Sequence, residues 1–176
     1  YIPMRYNPPA DIFFGMMQTQ GGYEYPFEMS YVKKHFEVVD NSQDADFALV
    51  GIKDPDGGNG YSENDLKNGG NGYMPINLQY SEYTAYNARE KSVSGGSPFE
   101  EFYNRSYRGK TVTSNNYTDM NLVNETKKKI GEKPLVVVVE LSRPMVLKEI
   151  EKNSDVIIIS TGTVSYTHLT LPTSYA

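Results

Sequence analysis

The residues able to do chemistry are crowded into one long stretch of this chain. Glu63, Asp65, Glu90, Glu100 and Glu101 stand there among Tyr61, Tyr73, Tyr80, Tyr83, Tyr86 and Tyr103. A carboxylic acid in a partly dry, aromatic-lined loop has a raised pKa and can donate a proton near neutrality, as general acid–base chemistry requires. The commoner state of any single Asp or Glu is plain exposure to water. Two further patterns overlap this stretch. Arg105 to Thr111 ends in the Gly-Lys-Thr of a phosphate-binding loop, but Asn104 stands where that loop needs its first glycine, and Pro98 and polar residues precede it in place of a strand. Asp54, Asp56 and Asp65 take the first, third and twelfth places of a calcium-loop template, which wants Gly where this chain has Asn59 and Glu where it has Asp65. Turn formation by Asp and Gly is the better account of that pattern. No metal and no other cofactor is expected.

Composition narrows the chemistry further. The chain has no cysteine, which excludes disulfides, zinc–thiolate sites and thiol nucleophiles. Its histidines are His35 and His168, and neither has a Ser-His-Asp arrangement in prospect. A net charge of -5 without a dominant basic patch argues against nucleic acid as a partner. Lys127, Lys128 and Lys129 read as the solvated, dipole-matched last turn of a helix. Mean hydropathy of -0.56 and short apolar runs argue against a membrane span. Tyrosine is over-used, 15 against 7 Phe and no Trp. Its apolar ring and polar tip suit half-buried surfaces and sugar-contacting loops.

The elements that must position these groups can be read from periodicity. Tyr1 to Tyr6 reads as the stub of an edge strand, and Met29 to Phe36 as a short helix with Met29, Val32 and Phe36 on one side. Phe36 to Val39 and Phe47 to Ile52 read as strands. Thr118 can cap a helix running to Ile130, with Met120, Val123 and Ile130 facing inward and Gly131 ending it. Leu135 to Leu141 is the strongest strand, and its successive valines suit a parallel strand covered by helices on both sides. Ser142 and Pro144 open a helix carrying Val146, Leu147 and Ile150, and Val156 to Ser160 is a last strand. The expected fold is α/β: an open, mostly parallel sheet with helices on both faces, truncated, and interrupted by a long Gly/Asn/Tyr-rich loop. That loop lies between Ile52 and Thr118 and repeats Gly-Gly-Asn-Gly-Tyr at Gly57 to Tyr61 and Gly69 to Tyr73. It leaves the C-terminal end of a buried strand, where open α/β sheets place ligands.

The two ends of the chain are of a different kind. Tyr1 is not a start methionine, and no basic segment followed by an apolar core stands at the N-terminus, so the compartment stays open. Val164 to Thr173 reads VSYTHLTLPT. GTC TCT TAT ACA CAT CTG ACG CTG CCG ACG, the read-through of a transposase mosaic end, encodes it residue for residue. Residues 164–176 are therefore expected to be non-native, and the native part to end near Thr163 within a domain.

Several separated segments carry a resemblance. Ala45 to Ile52 (ADFALVGI), the GGNGY loop, Asn77 to Ala85 (NLQYSEYTA), Asn104 to Thr111 (NRSYRGKT) and Lys133 to Leu147 (KPLVVVVELSRPMVL) are similar to the C-terminal domain of family 3 glycoside hydrolases, in its bacterial β-glucosidase or β-xylosidase branch. The resemblance spans nearly all of residues 1–163. It implies a retaining enzyme that removes terminal β-linked glucose or xylose, with its nucleophilic aspartate on a barrel domain outside this chain. This domain then supplies a loop over the sugar and often the acid/base glutamate, with the two carboxyl groups roughly 5 Å apart. Asn104-Arg105 matches the Asp-Arg pair that follows that glutamate in many members, with Asn for Asp. Glu90 is the first candidate for the acid/base, Glu63 in Tyr61-Ser62-Glu63 the second and Glu101 the third. Asn104, Arg105 and Tyr61 are the implied substrate contacts. The partners implied are a β-linked glycoside or oligosaccharide and the barrel domain. A sugar-binding or structural domain without catalysis is the alternative.

Overall fold

A computed structural model of the protein describes residues 1–9, 11–12, 17–90 and 106–161. In chain order the elements are β1 (Arg5–Asn7), β2 (Asp11–Ile12), β3 (Met17–Gln18), β4 (Gly22–Glu24), α1 (Met29–Val32), β5 (Ala48–Lys53) and α2 (Glu63–Lys67). They continue with β6 (Tyr83–Thr84), β7 (Thr111–Val112), α3 (Tyr117–Ile130), β8 (Leu135–Glu140), α4 (Lys148–Glu151) and β9 (Val156–Ser160).

The centre is a parallel sheet in the order β5-β8-β9, with Ala48 opposite Leu135 and Val136 opposite Val156. This establishes the α/β class. Alternation along β5 and β8 sends Ala48, Val50, Ile52, Leu135, Val137 and Val139 to one face, where they are almost fully buried. Met120, Val123 and Ile130 of α3 close that face at helical spacing, joined by Ile150 and Tyr80. These are the three residues of α3 that periodicity turned inward. Gly131, at φ +64°, ends the helix, and its N–H bonds to the Lys127 carbonyl.

The second face of the sheet is the less buried one along β8. Pro26 and Phe27 press on it where a side chain on Gly51 would stand, and Val136 and Val138 are only half-buried. Along β9, Val156, Ile158 and Ile159 are 41–47% exposed.

Several boundaries differ from the sequence reading: the helix read over Met29 to Phe36 ends at Val32, and Phe36 is exposed. Phe36 to Val39 forms no strand, because the Phe36 N–H is spent on the Val32 carbonyl in the turn after α1, and its ring packs edge-on against Phe47. The last helix starts at Lys148 rather than near Pro144, leaving Val146 and Leu147 partly exposed. Asn116, not Thr118, is the N-cap of α3. At the N-terminus, β1 pairs antiparallel with β4, while Tyr1 borders β5 by accepting from the Leu49 N–H at 2.9 Å.

Candidate functional site

Because β5 and β8 are parallel and in register, their C-terminal residues Lys53 and Glu140 lie side by side. Buried Asp54 joins the two exits from the sheet. Its carboxylate accepts from the Ser142 N–H at 2.6 Å, the Ser142 hydroxyl at 2.9 Å and the Arg143 N–H at 2.5 Å. Buried carboxylates persist where such donors replace water.

The start of α3 fixes the next two residues. Asn116 Nδ2 donates to the Asp54 carbonyl at 2.9 Å and to Asp119 Oδ2 at 3.0 Å, while its Oδ1 accepts from the Asp56 N–H at 2.7 Å. This explains why Asn116 caps no helix amide of its own: its side chain is already in use. Asp119 is held from the other side by Arg5, through Nε at 2.7 Å and Nη2 at 2.9 Å, and by the Lys53 N–H at 3.1 Å. Burial pushes the Asp119 carboxyl above the ordinary carboxylate range, against the opposing pull of Arg5 and the amide donors.

The two glycine-rich repeats fold alike. In each, the Asn side chain accepts from the Tyr N–H two residues on at 3.1 Å, across a glycine with positive φ, +85° at Gly60 and +75° at Gly72. The repeats then meet as an antiparallel bridge between Tyr61 and Tyr73, with Ser62 N–H bonded to the Gly72 carbonyl and Met74 N–H to the Gly60 carbonyl. Tyr73 is buried and Tyr61 is not, so one sequence motif serves a packed layer and an open one. Between the repeats, α2 is capped by Ser62 and carries Asp65, whose carboxylate binds Gly72 N–H at 2.8 Å and Lys110 Nζ at 2.5 Å.

A cleft of about 470 Å³ opens at this edge of the sheet. The first repeat, Gly57 to Tyr61, with Asp56 before it and Ser62 after it, forms one wall; Met74, Pro75, Val112, Thr113, Asn115 and Arg143 complete it. Arg143 donates to the Gly58 carbonyl at 3.3 Å across the opening. The lining mixes hydroxyls, amides, one carboxylate, one guanidinium and a tyrosine ring with the apolar Met74, Pro75 and Val112, a combination that suits a small ligand with both hydroxyls and an apolar face.

The candidate site residues are distributed unevenly around it. Tyr61 lines the cleft. Glu63 follows the lining residue Ser62 but is exposed and bonds Lys67 at 3.3 Å. Glu90 is exposed and does not line the cleft. Glu101, Asn104 and Arg105 lie outside the described residues. Asn115 and Arg143 line the cleft although the sequence reading names neither as a ligand contact, and Asp56 entered it only through the calcium-loop template. The Asn115-Asn116 pair before α3 was a usable signal, whereas nothing in Ser142-Arg143-Pro144 marks more than a helix start.

The two other motifs resolve into internal contacts. Lys110 of the Gly-Lys-Thr run bonds Asp65 and the Asn71 side chain, and the chain continues into strand β7 rather than the helix a phosphate loop needs. Asp54, Asp56 and Asp65 turn to separate partners, and no cluster of His or acidic side chains able to hold a metal occurs among the described residues. Comparison with protein-family models, curated proteins and solved structures returns no match for this chain.

Proposed function

We propose that this chain is the α/β sandwich domain of a retaining β-glycosidase acting on terminal β-linked glucose or xylose, and that the cleft is the part of the sugar site this domain supplies. The observation that carries the reading is the position and lining of the cleft. It sits at the carboxyl edge of a parallel sheet, and the half-exposed Tyr61 lines it together with Asp56, Asn59, Asn115 and Arg143. The segment resemblance to family 3 glycoside hydrolases supports the same reading. In this scheme Glu90, Glu63 or Glu101 protonates the leaving oxygen. The nucleophile comes from the barrel domain, so the chain alone turns nothing over.

The test uses the full-length parent with Glu90, Glu63 or Glu101 changed singly to Ala and an aryl β-glucoside as substrate. Removal of the acid/base slows poor leaving groups far more than activated ones, and azide restores turnover by attacking the glycosyl-enzyme to give a β-glycosyl azide. Rescue in one variant identifies the acid/base; rescue in none, with full activity retained throughout, overturns the catalytic assignment.

A second reading, a domain that holds sugar without protonating it, is favoured by one observation. Among the described residues the carboxylate that lines the cleft is Asp56, and neither Glu63 nor Glu90 does.

A further inference from the structure

Asp56, an exposed residue of the cleft wall, is anchored through its backbone and both carboxylate oxygens. Its N–H donates to Asn116 Oδ1 at 2.7 Å and its carbonyl accepts from the Asn115 N–H at 2.9 Å. One carboxylate oxygen accepts from the Gly58 N–H at 3.2 Å and the other from Asn115 Nδ2 at 3.1 Å. The Asn116 side chain is itself tied to Asp119, and Asp119 to Arg5, so the anchorage runs back into the core. An ionised carboxylate has about four acceptor positions, and two protein donors leave about half of them for a ligand. Asp56 forms no ion pair within 4 Å among the described residues, although Arg143 lines the same cleft.

Fixed acceptor positions on two oxygens suit two adjacent hydroxyl donors. We propose that Asp56 is a specificity-determining residue of the cleft, accepting hydrogen bonds from a pair of neighbouring sugar hydroxyls, and that Asn115 and Asn116 are its positioning residues. The inference rests on the sugar-site reading above and adds to it a named contact and the ligand group that the contact recognises. Preorganisation is the physical point: the backbone and both oxygens of Asp56 are held before a ligand arrives, so little ordering cost remains on binding. A charge-assisted bond of this kind favours a ligand that carries the hydroxyl.

The experiment titrates the ¹⁵N-labelled full chain with methyl β-D-glucopyranoside and its monodeoxy derivatives, reading the Gly57 to Ser62 amides. Asp56→Asn is close to isosteric and keeps an acceptor for the Gly58 N–H; Asp56→Ser, a turn-compatible change, serves if the first variant misfolds. The expected result is about tenfold weaker binding of the glucoside by either variant, with the amide signals outside the cleft unmoved, since the Asp56 backbone bonds to Asn115 and Asn116 are kept. The deoxy derivative that costs the wild type tenfold should cost the variant less than twofold, a coupling that a merely structural residue does not produce. Binding by Asp56→Asn within twofold of wild type overturns the Asp56 assignment and leaves the sugar site standing. No shift in the wild type with any of these glycosides overturns both.

Discussion

The Tyr61 ring fills the space that a side chain on Gly72 would occupy: a Cβ at Gly72 would come within 2.5 Å of Tyr61 Cε2. Two glycine-rich repeats that look interchangeable are thereby made unequal. Gly72 gives up its side-chain volume to the ring that lines the cleft, and its φ of +75° is one that a side chain resists.

Gly72→Ala should therefore cost more than the left-handed backbone alone. Gly69, at φ +86° with open space around it, provides the control. Gly69→Ala should cost about 1 kcal/mol, and Gly72→Ala about 2–3 kcal/mol together with large shifts of the Tyr61 amide and ring signals. Equal losses by thermal melting would show that the Tyr61 contact is dispensable.

Glu149 should be needed for the order of the Asn77 to Ala85 segment. Its carboxylate accepts from the Tyr80 N–H at 2.7 Å and the Ser81 N–H at 3.0 Å. Glu149→Ala leaves both amides without that acceptor, at a cost of about 1–3 kcal/mol. Hydrogen exchange at Tyr80 and Ser81 should accelerate well beyond the change at Val137. A uniform change across the chain would contradict a local role.

The second repeat should loosen in acid. Burial raises the Asp65 pKa, but the Lys110 hydrogen bond, the Gly72 amide and the Lys110 charge together bring it below the ordinary 3.8. A depressed carboxyl pKa stabilises above the unfolded value and loses that contribution as pH falls through the folded one. The Gly72 amide shift should therefore stay level from pH 7 to about 4 and move only below that. Asp65→Asn should flatten the acid limb; an unaltered limb in that variant assigns it to another group.

Self-association should run through β9. Among the described residues β9 is the last strand of the sheet, with Val156 and Ile158 each 47% exposed. Exposed apolar edge strands template pairing with further chains, and a lysine there blunts it. Ile158→Lys should raise the soluble monomer fraction in sedimentation at equal folded content. No change in that fraction would place the association elsewhere.

A core change calibrates these effects. Leu135 is fully buried where β8 meets α3, and Leu135→Ala should cost about 2–5 kcal/mol, a fall in Tm on the order of 10 °C.

The sequence by itself determined the elements whose signals are local. Apolar runs gave β5, β8 and β9, the spacing of Met120, Val123 and Ile130 gave the buried side of α3, and Gly131 gave its end. The repeat itself was legible in the sequence, and its Asn-Gly-Tyr turns are local, since the Asn side chain and the glycine φ act within three residues. Whatever depends on partners distant in sequence was decided by the tertiary structure. Phe36 to Val39 has strand composition, yet its first amide is taken by the turn after α1. Thr118 is a sound helix cap in isolation, but Asn116 holds that place while its side chain secures Asp54 and Asp56, some sixty residues earlier. Local composition could not separate Tyr61 from Tyr73 either, since identical motifs precede them. Only the tertiary structure buries Tyr73 while Tyr61 lines the cleft.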